Sequence, residues 1–106
     1  MMIRAAILVP LRDNDGKAFG FRIWAELRTR LLALSGGYTD AGQVQGVWVD
    51  SGRTYDDRSR RYEVAIQSWR DVHAVIELAD WVRDAFRQEA IYIEIAGLAE
   101  IIGPPV

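Results

Sequence analysis

The order in which apolar periodicities change along this chain constrains its fold more than any bulk property does. A strand-like alternation gives way to a helical stripe. Two further alternations follow, then a second helical stripe and a last alternation. The strands are read near Ile3–Leu11, Gln43–Asp50, Arg61–Ser68 and Ala90–Ala96, and the helices near Lys17–Leu34 and Val72–Gln88. This order predicts an α+β fold of the ferredoxin-like βαββαβ kind. Its four-stranded antiparallel sheet would carry both helices on one face, with the first and third strands central. The opposite face must then meet solvent, a ligand or another chain, and function depends on which. The whole chain, residues 1–106, fits a single α+β domain.

Local signals refine the elements. Phe19, Ile23, Leu27, Leu31 and Leu34 recur at helical spacing and are expected to face the sheet, with Phe21, Trp24 and Leu32 widening the arc. Asp13-Asn14-Asp15-Gly16 reads as a turn and helix start. Its glycine comes too early for a calcium loop, and no closing glutamate follows. Ser35-Gly36-Gly37 stops the first helix. Ser51–Arg60 reads as a polar hairpin loop, and Asp71 as the N-cap of a second helix whose stripe is Val75, Leu78, Ala79, Val82 and Phe86. Beyond Gly97, the apolar run Leu98–Ile102 reads as a continuation of the last strand past a bulge or bend, ended by Gly103-Pro104-Pro105.

Composition excludes several classes. There is no cysteine, which removes disulfides, thiolate metal sites and cysteine nucleophiles. The formal net charge of −2 and pI near 5.3 argue against a general nucleic-acid role, which needs a concentrated positive surface. The first apolar run is too short for a signal peptide and no stretch is long enough to span a membrane, so a cytoplasmic protein without a membrane partner is expected. One histidine, His73, and no cysteine leave no zinc ligand set. His73 has no nucleophile or carboxylate placed beside it by a motif and reads as a surface residue. Phosphate-loop, dinucleotide and nucleophile-elbow motifs are missing. No catalytic residue, metal or cofactor is assigned.

The candidate site is therefore the uncovered sheet face. Parity places Arg4, Ala6, Leu8, Trp48, Arg61, Glu63, Ala65, Gln67, Tyr92 and Glu94 there. Ala6 and Ala65 would form a shallow floor between walls of Trp48 and Tyr92. Glu63 and Glu94 would stand about 10 Å apart across the first strand. Such carboxylates can divide acid and base work, or simply be neutralised by Arg4 and Arg61. The ligand-binding candidates are Tyr38, Trp48, Arg61, Glu63, Tyr92 and Glu94. Arg53, Arg58, Arg60 and Arg61 cluster beside Asp56 and Asp57; the reading preferred over a phosphate grip is a solvated loop whose arginines pair with its own aspartates.

Three segments together carry a resemblance: Gly36-Gly37-Tyr38-Thr39, Gly46-Val47-Trp48 ahead of Asp50-Ser51-Gly52, and Phe86-Arg87-Gln88-Glu89-Ala90-Ile91-Tyr92. The combination resembles small bacterial ferredoxin-like proteins of no assigned activity, over about the C-terminal two thirds of the chain. It implies a fold and a tendency to self-associate, and no chemistry. The reading that results is a homo-oligomer, dimeric or larger, able to bind a small molecule at the open sheet face or between subunits. The alternative is a small cofactorless enzyme, monooxygenase- or isomerase-like, on a dimeric scaffold. An RNA-binding module comes third, opposed by the acidic pI and by Glu63 and Glu94.

Overall fold

The computed structural model describes residues 1–104. The chain runs β1 (Ile3–Pro10), α1 (Phe21–Ser35), β2 (Thr39–Asp50), β3 (Arg53–Ile66), a 3-10 turn (Trp69–Asp71), α2 (Val72–Ala85), β4 (Ile91–Ile95) and β5 (Leu98–Ile102). All strand pairings are antiparallel, in the order β2-β3-β1-β4-β5. The fold is α+β, with two helices and one sheet.

β1 lies at the centre of the sheet, and its alternation decides which face is buried. Ile3, Ala5, Ile7 and Val9 point into one core, together with Tyr62, Val64 and Ile66 of β3 and Ile91 and Ile93 of β4. Both helices close the same core: α1 contributes Leu27 and Leu31, and α2 contributes Val75, Leu78, Ala79 and Val82. Burying each of the larger aliphatic side chains is worth about 1.5–3 kcal/mol. Phe86, immediately after α2, is fully buried and packs edge-on against Phe19, Trp24 and Trp81, with ring centroids 4.8, 5.0 and 6.3 Å away. This aromatic contact locks the entrance of α1 to the exit of α2.

Several expectations need correction. The sheet has five strands rather than four, because the chain reverses at Ala96-Gly97 instead of bulging. Both residues have positive φ (54° and 83°), the geometry of a two-residue hairpin whose twist matches its strands. The run 98–102 therefore folds back on β4, pairing Tyr92 with Ile101 and Glu94 with Ala99. The supposed loop 51–60 is likewise a turn of only Ser51-Gly52, at φ 53° and 74°, and from Arg53 onward the chain is already strand. β2 and β3 thus form a long hairpin that projects past β1, whose pairing with β3 stops at Ser59.

The helix boundaries also shift. α1 begins at Phe21, not Lys17, because residues 12–18 close a small loop: Asp13 Oδ1 accepts from the N–H groups of Asp15 and Lys17, and Arg12 bridges Ala18. Phe21 is consequently exposed, while Leu27 and Leu31 hold the core. α2 ends at Ala85, and its entry is organised by a capping box around the 3-10 turn. The Ser68 hydroxyl accepts from Arg70 N–H, and the Asp71 carboxylate accepts from the N–H groups of Gln67 and Ser68. Asp71 therefore serves the turn and makes no side-chain cap on α2. The glycine stop of α1 is as expected: Gly36 is left-handed (φ 78°) and its N–H reaches the Leu32 carbonyl. The strand ends before Gly103-Pro104, and Pro105 of the expected stop lies outside the described residues.

Candidate functional site

The sequence-predicted site residues divide into two places. Arg61, Glu63, Tyr92 and Glu94 come together on the face that carries no helix. Ala6 pairs with both Glu63 and Glu94, and Leu8 with both Arg61 and Tyr92, so two rows of side chains cross β3, β1 and β4 side by side. Arg61 joins the rows: its Nε donates to Glu63 at 2.9 Å, and one Nη lies 2.6 Å from Glu94. The Tyr92 hydroxyl donates to the other oxygen of Glu94 at 3.2 Å. The Arg61 hydrogen bond, aided by its field and by Tyr92, outweighs the opposing effect of burial and holds the Glu94 carboxyl below its usual range. Burial and the bond to Glu94 raise the Tyr92 hydroxyl. The cluster lies over Ala6, which is only 4% exposed although no helix covers it.

Trp48 and Tyr38 lie elsewhere. Trp48 is opposite Tyr55 near the end of the projecting hairpin, far along β3 from Arg61. Its ring leans on Tyr55 at 5.3 Å, and its indole N–H donates to Asp57 at 2.7 Å. Tyr38 packs edge-on against Tyr62 at 5.7 Å, on the helix side of the sheet. The expected floor between Trp48 and Tyr92 is therefore not formed, since the two rings belong to different regions. The hairpin arginines also differ from the expected self-paired loop. Asp56 accepts from Gln45 and Asp57 from Trp48, while Arg60 pairs with Asp40 of β2 at 2.9 Å.

Tyr38, Asp40, Trp48 and Gln88-Glu89 gather around or behind one concavity. It is an open groove of about 1440 Å³ between the β2–β3 hairpin, the start of α1, the loop after β1 and the α2–β4 connection. Trp24, Arg28, Arg60, Tyr62, Trp48 and Glu89 line its successive sides. Local backbone builds one wall. The β2–β3 register slips between Asp40 and Gln43, and Gly42 takes φ 84° in the resulting bulge. The Gly42 N–H donates back to Asp40 Oδ1, holding that carboxylate against Arg60 Nε. Burial pushes the Asp40 carboxyl up, but Arg60, the Gly42 N–H and the field of Arg28 together outweigh it and leave it lowered.

Tyr62 stands at the wall of this groove, 1% exposed, and its hydroxyl makes no hydrogen bond. A buried hydroxyl without a partner costs about 1–3 kcal/mol. Burial raises its pKa and keeps it a neutral donor; Arg28 offsets part of the rise, but no hydrogen bond of good geometry joins them. Sequence reasoning passed over Tyr62 and Arg28, because Tyr62 reads as a core position and Arg28 carries no motif signal; Glu89 enters only within the resemblance segment and receives no role there. The available clue was that three short segments carried one resemblance together. His73 is exposed on α2 and does not line the groove. Among the described residues no group of acidic and histidine side chains could hold a metal ion. No described helix is long and apolar enough to cross a membrane.

No family model and no curated protein matches the chain. Solved structures do. A phage SAM lyase in complex with S-methyl-5'-thioadenosine superimposes with a TM-score of 0.72 at 19% identity, over 97% of this chain and 90% of that one. The phage SAM lyase in its apo state gives 0.66 at 18%, over 98% and 90%. The divalent cation tolerance protein CutA1 from Thermus thermophilus gives 0.55 at 15%, over 100% and 84%. At these identities the likeness is one of fold.

Proposed function

We propose that this protein is a homo-oligomeric small-molecule-binding module on a ferredoxin-like βαββαβ scaffold extended by β5. Its ligand would lie in the groove beneath the β2–β3 hairpin. The open sheet face around Arg61, Glu63, Tyr92 and Glu94 would be turned toward a second copy. One observation carries the ligand site: segments far apart in sequence, 40–48, 55–62 and 88–90, converge on a single concavity that offers both rings and charges. Concave surfaces that combine apolar rings with a few polar groups are the usual setting for ligands. The superposition on a phage SAM lyase holding S-methyl-5'-thioadenosine supports sulfonium and thioether nucleosides as the first ligand class to try. Such ligands bring a flat ring suited to Trp48 and Tyr55, and the sulfonium members also a cation suited to unpaired carboxylates such as Glu89.

The test is isothermal titration with SAM and S-methyl-5'-thioadenosine, with light scattering for mass. Binding that Trp48→Ala weakens at least tenfold, on a particle larger than one chain, is the expected result. A monomer that binds neither compound at millimolar concentration would defeat the proposal. A second reading, an enzyme acting on such a nucleoside, is favoured by Glu89: it lines the groove and forms no ion pair among the described residues, so it could serve as a base. Chromatography of SAM incubated with the protein separates the two: unchanged SAM supports binding alone, and new adenosyl products that Glu89→Gln abolishes support catalysis.

A further inference from the structure

We infer that Tyr62 and Arg28 form a recognition point for an anionic oxygen group, a carboxylate or a phosphate, on the molecule that occupies the groove. The inference deepens the groove reading above and depends on it for the site, but not for the nucleoside class. Three observations carry it. The Tyr62 hydroxyl is buried at the groove wall and makes no hydrogen bond. Its ring is anchored: it sits in the core with Tyr38 edge-on at 5.7 Å, which fixes the hydroxyl at the groove wall. Arg28 lines the same groove, is half-buried, and has no ion-pair partner among the described residues.

The groove as a whole carries six carboxylates against four arginines, but the charges nearest the hydroxyl fit an anion. Asp40 is the carboxylate that acts on both Tyr62 and Arg28, and it is already neutralised by Arg60 at 2.9 Å. Arg28, Arg60 and Asp40 therefore leave one net positive charge beside a neutral O–H donor. A guanidinium and a phenol converging on one point suit a planar or tetrahedral oxyanion, which accepts from both. A cationic or purely apolar group there would leave the hydroxyl unsatisfied and Arg28 uncompensated. Tyr38, singled out by sequence as a ligand contact, acts instead as the support for Tyr62.

The experiment has two arms. In the first, inorganic phosphate and acetate are titrated separately while the side-chain Nε–Hε resonance of Arg28 is followed by NMR, assigned with Arg28→Lys. A saturable shift in the wild type with at least one anion, weakened at least fivefold in Tyr62→Phe, is expected; which anion binds tighter tells phosphate from carboxylate. Tyr62→Phe should melt no lower than wild type without anion, because it removes an unsatisfied group. It should gain less from added anion. In the second arm, SAM is compared with decarboxylated SAM; the carboxylate should confer at least tenfold tighter binding, and Tyr62→Phe should abolish that advantage. The absence of a saturable Arg28 shift, or a shift unchanged in Tyr62→Phe, overturns the inference. A positive first arm with no nucleoside binding leaves the anion point standing and removes the nucleoside reading alone.

Discussion

Removing the charge at the centre of the open sheet face should destabilise the protein in a way that pH can switch off. Arg61 contacts Glu63 at 2.9 Å and Glu94 at 2.6 Å, and all three side chains are about a quarter exposed. At that exposure, water screens each pair to about 0.2–1 kcal/mol. Arg61→Gln loses both pairs. It also leaves two carboxylates that shared one guanidinium, about 6–8 Å apart, with a repulsion of about 0.5–0.7 kcal/mol in water. The sum is about 1–2 kcal/mol at neutral pH, or a fall in Tm of about 5–15 °C for a domain of this size.

The pH dependence follows from Glu94, whose folded pKa lies below its ordinary value of 4.5, chiefly through the Arg61 hydrogen bond. A depressed carboxylate contributes stability above its unfolded pKa and loses it as pH falls through the folded value. The deficit of Arg61→Gln should therefore be full at pH 7 and shrink progressively as pH falls below about 4.5. Urea denaturation followed by far-UV circular dichroism, at two protein concentrations to separate folding from association, measures it. An equal deficit at pH 3 and pH 7 would mean that Arg61 acts by packing, and no deficit at pH 7 would mean that the cluster carries no stability. Either result refutes the argument.

Two further perturbations test the fold. Ala96→Asn should raise stability by up to about 1 kcal/mol, since alanine is strained at its left-handed φ of 54° in the β4–β5 turn and asparagine tolerates it; thermal melts read the gain, and a loss would argue against a two-residue turn at 96–97. Phe86→Ala should cost about 3–5 kcal/mol by emptying the space among Phe19, Trp24 and Trp81, and Phe86→Leu distinctly less; tryptophan fluorescence during urea unfolding reports both, and a cost below 1 kcal/mol for Phe86→Ala would place Phe86 outside the core.

Much of the candidate chemistry could be read one strand at a time. Alternation at Ile7, Tyr62 and Ile93 assigns those side chains to the helix side, so Arg61, Glu63, Tyr92 and Glu94 must share the other face once the strands pair. Trp48 obeys the same parity, but parity says nothing of distance along a strand. Reading 51–60 as loop brought Trp48 close to Tyr92, whereas the two-residue turn at Ser51-Gly52 carries it away on the hairpin. Ser51-Gly52 and Ala96-Gly97 both lack the asparagine or aspartate that marks such turns, and strand pairing on either side supplies the stability that their first residues do not.

Local periodicity in the chain was enough to place two helices, four of the five strands and much of the core, because each depends mainly on neighbours a few positions away; the fifth strand and the length of the β2–β3 hairpin needed the pairing itself. The groove was decided by tertiary structure. Tyr62, Arg28 and Glu89 are separated by a helix or more of sequence, and no local pattern joins them. They meet because a glycine-permitted bulge aims Asp40 at Arg60, a long hairpin overhangs the start of α1, and the buried Phe86 ties the end of α2 to that same corner.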